Sequence, residues 1–499
     1  MKVLMYSHVP LWEQHHAQTI EICLKHLEAR DEVLVLSCDT SLLNCPANIL
    51  KKKELCNKCL KQKKRTQNVI FENKIKHLNL ELNNDDHNIV INSIDEFIRF
   101  KFEDVPFGEI VIATLITDIF KTSYYDFEDI KKANGIKILN ASINLYNKVK
   151  KIIKEHNIER VYAWNGRRTF DAPVNYAAKN LNIEFFSYIS GGIPEKYQVE
   201  SSISILDIDL YKKTSEEFYE DHKKNNTLKE FEKEGLKHFN FLRYGEADGK
   251  GYGLKQFSQI FDEKNTFSKK NEKKNIAIFP GSNWEYLAFA QGFNKMKGKN
   301  FNQYDLLTEI LSNSYIKNNF NLYVRWHPFL KESGIKEKRH IYEIKDKYKQ
   351  VNFFMPESKI NSYSLLEFSD IVITFGSTIG VEATLYGKPS ILLGRTFWED
   401  NDASYTIDSV TNLLYLLKKN KLEPKPYINA LKEGYYQRHR GKEKFSHVMV
   451  DKKQRHFVKN KRIENQSIIE KVIEEIKFLV QSNSVIYKLY FKYLRRKNF

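Results

Sequence analysis

No apolar run in this 499-residue chain reaches the ~18 residues that span a bilayer; the best, Ile110 to Ile116, is strand-sized. The opening MKVLMYSHVP lacks a basic stretch ahead of a long apolar one, and it lacks a small-residue cleavage site, so a secreted protein is not expected. Cysteine is scarce. Five in the whole chain make no disulfide scaffold, and a reducing cytoplasm is the expected setting. The chain has no recognised nucleic-acid reading module and no internal repeat beyond two α/β halves. Gly249, Gly251 and Gly253 do not follow a strand and open a helix, which excludes a dinucleotide fingerprint there. A convincing Asp-x-Asp metal pair is also missing, because Asp207-Ile208-Asp209 sits in an apolar stretch that reads equally well as a strand.

What is present is core material. Apolar residues make up 41% and aromatics 13%, which excludes wholesale disorder, and the length suits two domains or three. Lys and Arg total 80 against 63 acids, a net charge of +17. The excess is mostly Lys intermixed with Asn, Ile and Tyr, as compositional drift and a solvated surface would give. The other explanation is a polyanionic partner: a membrane surface, nucleotide phosphates or, least of all, nucleic acid.

Strands and helices alternate. Lys2 to Tyr6 reads as a strand, Ala17, Ile20, Leu24 and Leu27 fall at helical spacing, and Glu32 to Ser37 reads as a second strand. Glu109 to Ile116 is expected as a buried strand, Ile136 to His156 as a helix, Arg160 to Trp164 as a strand, Val174 to Leu181 as a helix and Glu184 to Tyr188 as a strand. A charged stretch from Thr214 to Gly235 and the glycine-rich Asp248 to Gly253 separate this half from the next. Strands restart at Ile276 to Phe279, Leu322 to Trp326, Ile371 to Phe375 and Ser390 to Leu393. The expected fold is therefore α/β, two Rossmann-like domains facing a central cleft, residues 1–250 and 265–425, with a basic helical tail over 426–499. Within that tail, Gly434 to Arg462 reads as loops or short helices, and Ser467 to Val480 as an amphipathic helix.

Two strand ends of the second half carry the densest chemistry. Arg325-Trp326-His327-Pro328 closes one strand with a cationic pair suited to a phosphate. Thr374-Phe375-Gly376-Ser377-Thr378-Ile379-Gly380-Val381-Glu382-Ala383 runs from a strand through a small-residue turn into a helix. Free N–H groups and two hydroxyls there form an anion site, with Glu382 one turn inside for ribose hydroxyls. Either segment alone also reads as a helix cap and surface charges. Together in one α/β domain they point to a nucleotide phosphate site.

These residues resemble the C-terminal half of GT-B glycosyltransferases. More narrowly, they look like bacterial capsule and surface-polysaccharide transferases, where an HP motif and an S-S/T-x-G-x-E-A motif flank the activated sugar's phosphate. His15-His16-Ala17 before an apolar helix, then Asp31 to Leu36, looks like that family's opening, although Arg30-Asp31 replaces the usual Gly. Asn165-Gly166-Arg167 and Phe279-Pro280-Gly281-Ser282-Asn283-Trp284-Glu285 match further motifs, so the resemblance spans roughly residues 1–400.

The resemblance implies sugar transfer from a CMP- or UDP-linked donor to a growing surface glycan such as capsule or lipopolysaccharide. Ser282, Arg325, His327, Ser377, Thr378 and Glu382 would bind the donor, and Asn165 and Arg167 the acceptor. Protein cations and helix dipoles would stabilise the departing nucleotide, with no cofactor required for transfer. His16, Asp171 and Glu285 are the candidates for general base. Two other readings compete: a nucleotide-sugar epimerase of the same fold, and a non-catalytic glycan-binding scaffold.

Two signals stand apart. Cys38, Cys45, Cys56 and Cys59 fall within 22 residues, and Cys56-Asn57-Lys58-Cys59 has the spacing of a zinc knuckle. The expectation is structural zinc, or an iron–sulfur cluster in its place, set against plain free thiols in a Lys-rich loop. The segment from Val485 to Phe499 interleaves aromatics with five cations and no acid. It suits peripheral contact with an anionic inner membrane, or docking across the first domain.

Overall fold

Two parallel sheets form the framework of the computed structural model, which describes residues 1–43, 45–83, 85–225, 227–244, 267, 271–288, 295–296, 299–300, 302–419, 421–451 and 454–464. The strands of the first sheet are β1 (Lys2–Ser7), β2 (Glu32–Ser37), β3 (Lys76–Asn79), β4 (Arg160–Trp164), β5 (Glu184–Ser190) and β6 (Lys196–Glu200). The second half contributes β7 (Lys274–Phe279), a two-stranded hairpin of β8 (Lys295–Met296) and β9 (Lys299–Asn300), then β10 (Phe320–Arg325), β11 (Asn352–Phe354), β12 (Ile371–Thr374), β13 (Ser390–Leu393) and β14 (Tyr405–Ile407).

In the second sheet the order is β11-β10-β7-β12-β13-β14 with every pair parallel, the doubly wound order 3-2-1-4-5-6. The first sheet repeats it as β3-β2-β1-β4-β5-β6, with the last strand reversed. Each order reverses beside its central strand, between β1 and β4 and between β7 and β12. The loops that follow those strands diverge there and open a crevice. Helices cover both faces, so β1 and β2 are almost continuously buried and read as apolar runs rather than alternating ones. Each sheet nucleates its own apolar core.

Two expectations are corrected. Glu109 to Ile116 is not a strand but a helix, Phe107–Leu115, running on into a π turn, Ile116–Phe120. Its apolar residues are buried on every side, and an all-apolar run carries no period to separate helix from strand. Gly108 packs so close to Phe97 that a Cβ would lie 1.9 Å from its carbonyl oxygen, and Lys121 ends the turn in the left-handed region at φ 48°. Asp207-Ile208-Asp209 likewise opens a helix, Ile208–Asn225, with the Asp207 carboxylate accepting from Leu210 N at 2.8 Å.

Gly434 to Arg462 is more ordered than expected. Helix Tyr427–His439 packs along helix Leu228–Tyr244, and then the chain returns to the first domain. There β15 (Glu443–Lys444) extends the first sheet on β6, and β16 (Val448–Val450), β17 (His456–Val458) and β18 (Lys461–Arg462) form a small antiparallel sheet. That sheet is anchored to helix Glu13–Glu28 through the fully buried Glu21. Its carboxylate accepts from Ser446 N at 2.7 Å, Ser446 Oγ at 2.8 Å, His447 N at 3.0 Å and Val448 N at 2.8 Å. The glycines at 249–253 and the helices expected over 467–480 and 485–499 lie outside the described residues. Among the described residues no helix is long and apolar enough to cross a membrane.

Candidate active site

The first domain delivers its charges from two loops. After β4, Asn165 and Gly166 both take positive φ, 62° and 80°, and turn the chain sharply towards helix Ala172–Asn180. Only glycine fits the second position, since a Cβ there would lie 1.7 Å from the Ile203 carbonyl. This turn presents Arg167 and Arg168. Arg168 pairs with Asp118 at 2.6 Å, and Asp118 comes from the π turn after the helix found in place of the expected strand. Burial raises the Asp118 carboxyl and lowers Arg167 to about 10, with Arg168 adding repulsion in the second case.

From the second domain comes the short helix Asn283–Ala288, which follows β7 and the Pro280–Ser282 turn. Trp284 donates through Nε1 to Ser333 Oγ at 3.1 Å beyond β10, and Tyr286 donates to the Phe375 carbonyl beyond β12. One helix therefore braces the loops of three neighbouring strands, β10, β7 and β12. Between the domains lies a cavity of about 420 Å³. Asp118, Lys121, Arg167 and Arg168 line it on one side and Trp284, Glu285 and Phe329 on the other, with Ile49 at the edge. Burial pushes the Glu285 carboxyl up to about 7, against the pull of Ser282 and the Arg167 guanidinium.

The expected residues divide into three groups. Glu285 and Arg167 meet in the cavity, and Ser282 stands at the head of the helix that carries Glu285. His327, Ser377 and Thr378 stand at the loops after β10 and β12, the two strands flanking β7. His327 Nδ1 accepts from Phe329 N at 3.2 Å, and burial lowers the imidazole to about 4. The Ser377 N–H donates to Thr374 Oγ1 at 2.9 Å, and Thr378 is exposed.

Arg325, Glu382, Asp171, Asn165 and His16 face elsewhere. Arg325 donates to the carbonyls of Met355 at 2.7 Å and Ser358 at 3.2 Å, so it braces the loop after β11 from within. Glu382 accepts from the Tyr363 hydroxyl beneath the β12 turn, and burial raises it to about 7. Asp171 is fully buried, also raised to about 7, and accepts from Arg168 N at 2.6 Å ahead of its helix. Asn165 is buried at the turn itself, its backbone bonded to Tyr188 and Ile205. His16 lies outside the cavity: Thr66 Oγ1 gives its proton to the Gln62 carbonyl and accepts from His16 Nε2 at 2.7 Å.

Asp118 and Lys121 escaped sequence reading. Asp118 meets Arg168 across fifty residues of sequence, a contact that no local pattern reports.

Fold and cleft together define a two-domain α/β protein of the GT-B kind. More particularly, residues 282–411, which hold Glu285 and the β10 and β12 loops, match the model of a family described as capsule polysaccharide biosynthesis protein. Similar solved structures include two from Thermosulfurimonas dismutans. One is KpsC, beta Kdo 2,7 transferase, at 14% identity over 66% of this chain and 89% of that one, with a TM-score of 0.35. The other is KpsC, beta Kdo 2,4 transferase, at 13% identity over 56% and 79%, with a TM-score of 0.34. An S. aureus MnaA–UDP co-structure has 12% identity over 88% and 93%, with a TM-score of 0.28. Among curated proteins nothing matches.

Proposed function

We propose that this protein is a glycosyltransferase that moves a sugar from a nucleotide-sugar donor, CMP- or UDP-linked, to a growing surface glycan of the capsule type. The observation that carries the proposal is the 420 Å³ interdomain cavity, where Glu285 of one domain faces Arg167 and Arg168 of the other. The capsule-synthesis match over residues 282–411 supports it from the side of the sequence.

In this reading the nucleotide diphosphate or monophosphate sits on the loops after β7, β10 and β12. Ser282, His327, Ser377 and Thr378 line that edge, and Arg325 and Glu382 hold the loops from behind. Backbone N–H groups at the small-residue turn take up charge as the phosphate oxygen departs. The acceptor lies against the first domain, where Arg167, Arg168 and Lys121 favour an anionic glycan. Glu285 accepts the proton of the acceptor hydroxyl as that oxygen attacks the anomeric carbon, and a group poised near neutral pH is suited to the task.

The test is a thermal-shift panel with CMP, UDP, GDP and TDP, followed by a transfer assay. A cognate nucleotide at about 100 times its Kd adds ~2.7 kcal/mol of apparent stability. Glu285→Gln is expected to keep that shift and lose transfer by ~10²-fold or more. Undiminished transfer by Glu285→Gln overturns its role as base. Turnover of a nucleotide sugar with no acceptor present identifies an epimerase instead.

A further inference from the structure

Cys38, Cys45, Cys56 and Cys59 arise from a loop and from helix Lys53–Arg65, yet all four line one cavity of about 20 Å³, room for a single water-sized sphere. The remaining wall is largely apolar, with Val9, Leu11, Leu42 and Leu60 among it. His8 also faces this cavity from the end of β1. It is 3% exposed, and among the described residues its Nε2 has no hydrogen-bond partner. A buried imidazole nitrogen without a partner is costly among apolar side chains, unless something in the cavity accepts its lone pair.

Three of the sulfurs accept hydrogen bonds from the surrounding loop, while burial raises the Cys38, Cys45 and Cys59 thiols. Cys38 Sγ accepts from the backbone N–H of Thr40 at 3.3 Å and from that of Leu42, and Cys45 Sγ accepts from those of Ala47 and Asn48. Cys56 Sγ accepts from Asn48 Nδ2 at 3.2 Å. Lys51 and Lys63 lie close enough to offset negative charge on the cluster. The loop also holds two non-glycine residues in the left-handed region, Thr40 at φ 91° and Lys51 at φ 52°. Such backbone persists where its surroundings over-determine it, and a β-branched residue rarely adopts it.

We infer that this cluster is a transition-metal site, with zinc the expected ion and its ligands drawn from the four cysteine thiolates and His8 Nε2. Among the described residues no three His, Cys, Asp or Glu side chains are already gathered as metal ligands, so binding draws the thiols inward onto the cavity. Each ligating thiol releases its proton to solvent as the sulfur–metal bond forms, and the lysines offset the remaining charge. The role is structural. The ion ties the loop of residues 38–52 to the helix behind it, and Ile49 of that loop lines the interdomain cavity. Metal content therefore governs one wall of the cleft without entering the transfer reaction.

The full chain, purified without chelator, is expected to carry about one zinc per molecule by elemental analysis. Four thiols should resist a thiol reagent until a strong chelator is added. Cys56→Ser and Cys59→Ser should lose the metal. Cys23→Ser, whose thiol is buried elsewhere, should keep it. In protein refolded with cobalt(II), thiolate-to-cobalt absorbance should appear, and His8→Asn should shift it. Iron in place of zinc, with its own charge-transfer bands, supports the same thiolate site. Absence of both metals, with all thiols reacting freely before and after added zinc, overturns the inference. Equal metal in wild type and in a Cys56→Ser/Cys59→Ser double variant overturns it as well.

Discussion

Glu285, Asp171 and Glu382 are three carboxyls that burial raises to about 7, and their surroundings assign them different work. Glu382 holds Tyr363 and Asp171 holds Arg168 N, so both are tied to the fold, whereas Glu285 opens on the cleft. Transfer is therefore predicted to rise with pH through about 7 as Glu285 ionises, and Glu285→Gln should abolish that rise in a pH–rate profile. Stability moves the opposite way. The folded carboxyl keeps its proton at pH values where the unfolded one has lost it, so raising the pH from the ordinary carboxyl range to about 7 costs stability. Chemical denaturation across that window should show the loss shrinking in Glu285→Gln. His16 bonds Thr66 away from the cavity, so His16→Ala should lower stability by about 1–2 kcal/mol while kcat stays within a few-fold of wild type. A fall of 10²-fold in kcat would contradict that placement.

At the scale of elements, the turn between β12 and helix Ile379–Leu385 is the most demanding piece. Gly376 has φ 130°, and a Cβ there would lie 1.7 Å from the Tyr286 hydroxyl and 3.0 Å from the Arg395 carbonyl. Gly376→Ala is predicted to cost about 3 kcal/mol, through strain and the clash together, and to abolish the thermal response to nucleotide. The small residues of this turn, the HP pair and the strands around them were legible in the sequence, because strand-end glycines and apolar runs of strand length report local geometry. The destination of Arg325 was not legible, since a cation at a strand end reads the same whether it meets a phosphate or the carbonyls of Met355 and Ser358. Phe107–Leu115 misled for a related reason: a helix buried on all sides erases the periodicity that would reveal it. The packing of 443–463 against the first domain was invisible as well, because it depends on Glu21, more than four hundred residues away in sequence.

At the scale of the molecule, one buried carboxylate joins the two domains and another closes the first domain on itself. Glu337 of the second domain is fully buried and accepts from Thr122 Oγ1 at 3.1 Å, Ser123 N at 2.8 Å and Ser123 Oγ at 2.9 Å in the first, while also accepting from Tyr304 at 2.6 Å. Glu21 holds the returning strands to the first domain. Glu21→Ala is predicted to remove about 3 kcal/mol in denaturant unfolding, because four donors lose a charged acceptor at once. Proteolysis of that variant should release the segment beyond Gly441 first. Unchanged midpoint and cleavage pattern would refute the anchor.

The return of the chain also sets an order of events during synthesis. The first sheet is written almost entirely in the opening 200 residues, but the strand that covers its β6 edge and the backbone that satisfies Glu21 emerge only after residue 442. At ribosomal rates of about 5–20 residues per second, that edge waits roughly 12–50 seconds while the whole second domain is made. Throughout the wait the nascent first domain exposes an unpaired strand and an unpaired carboxylate, so its completion depends on synthesis of the whole second domain.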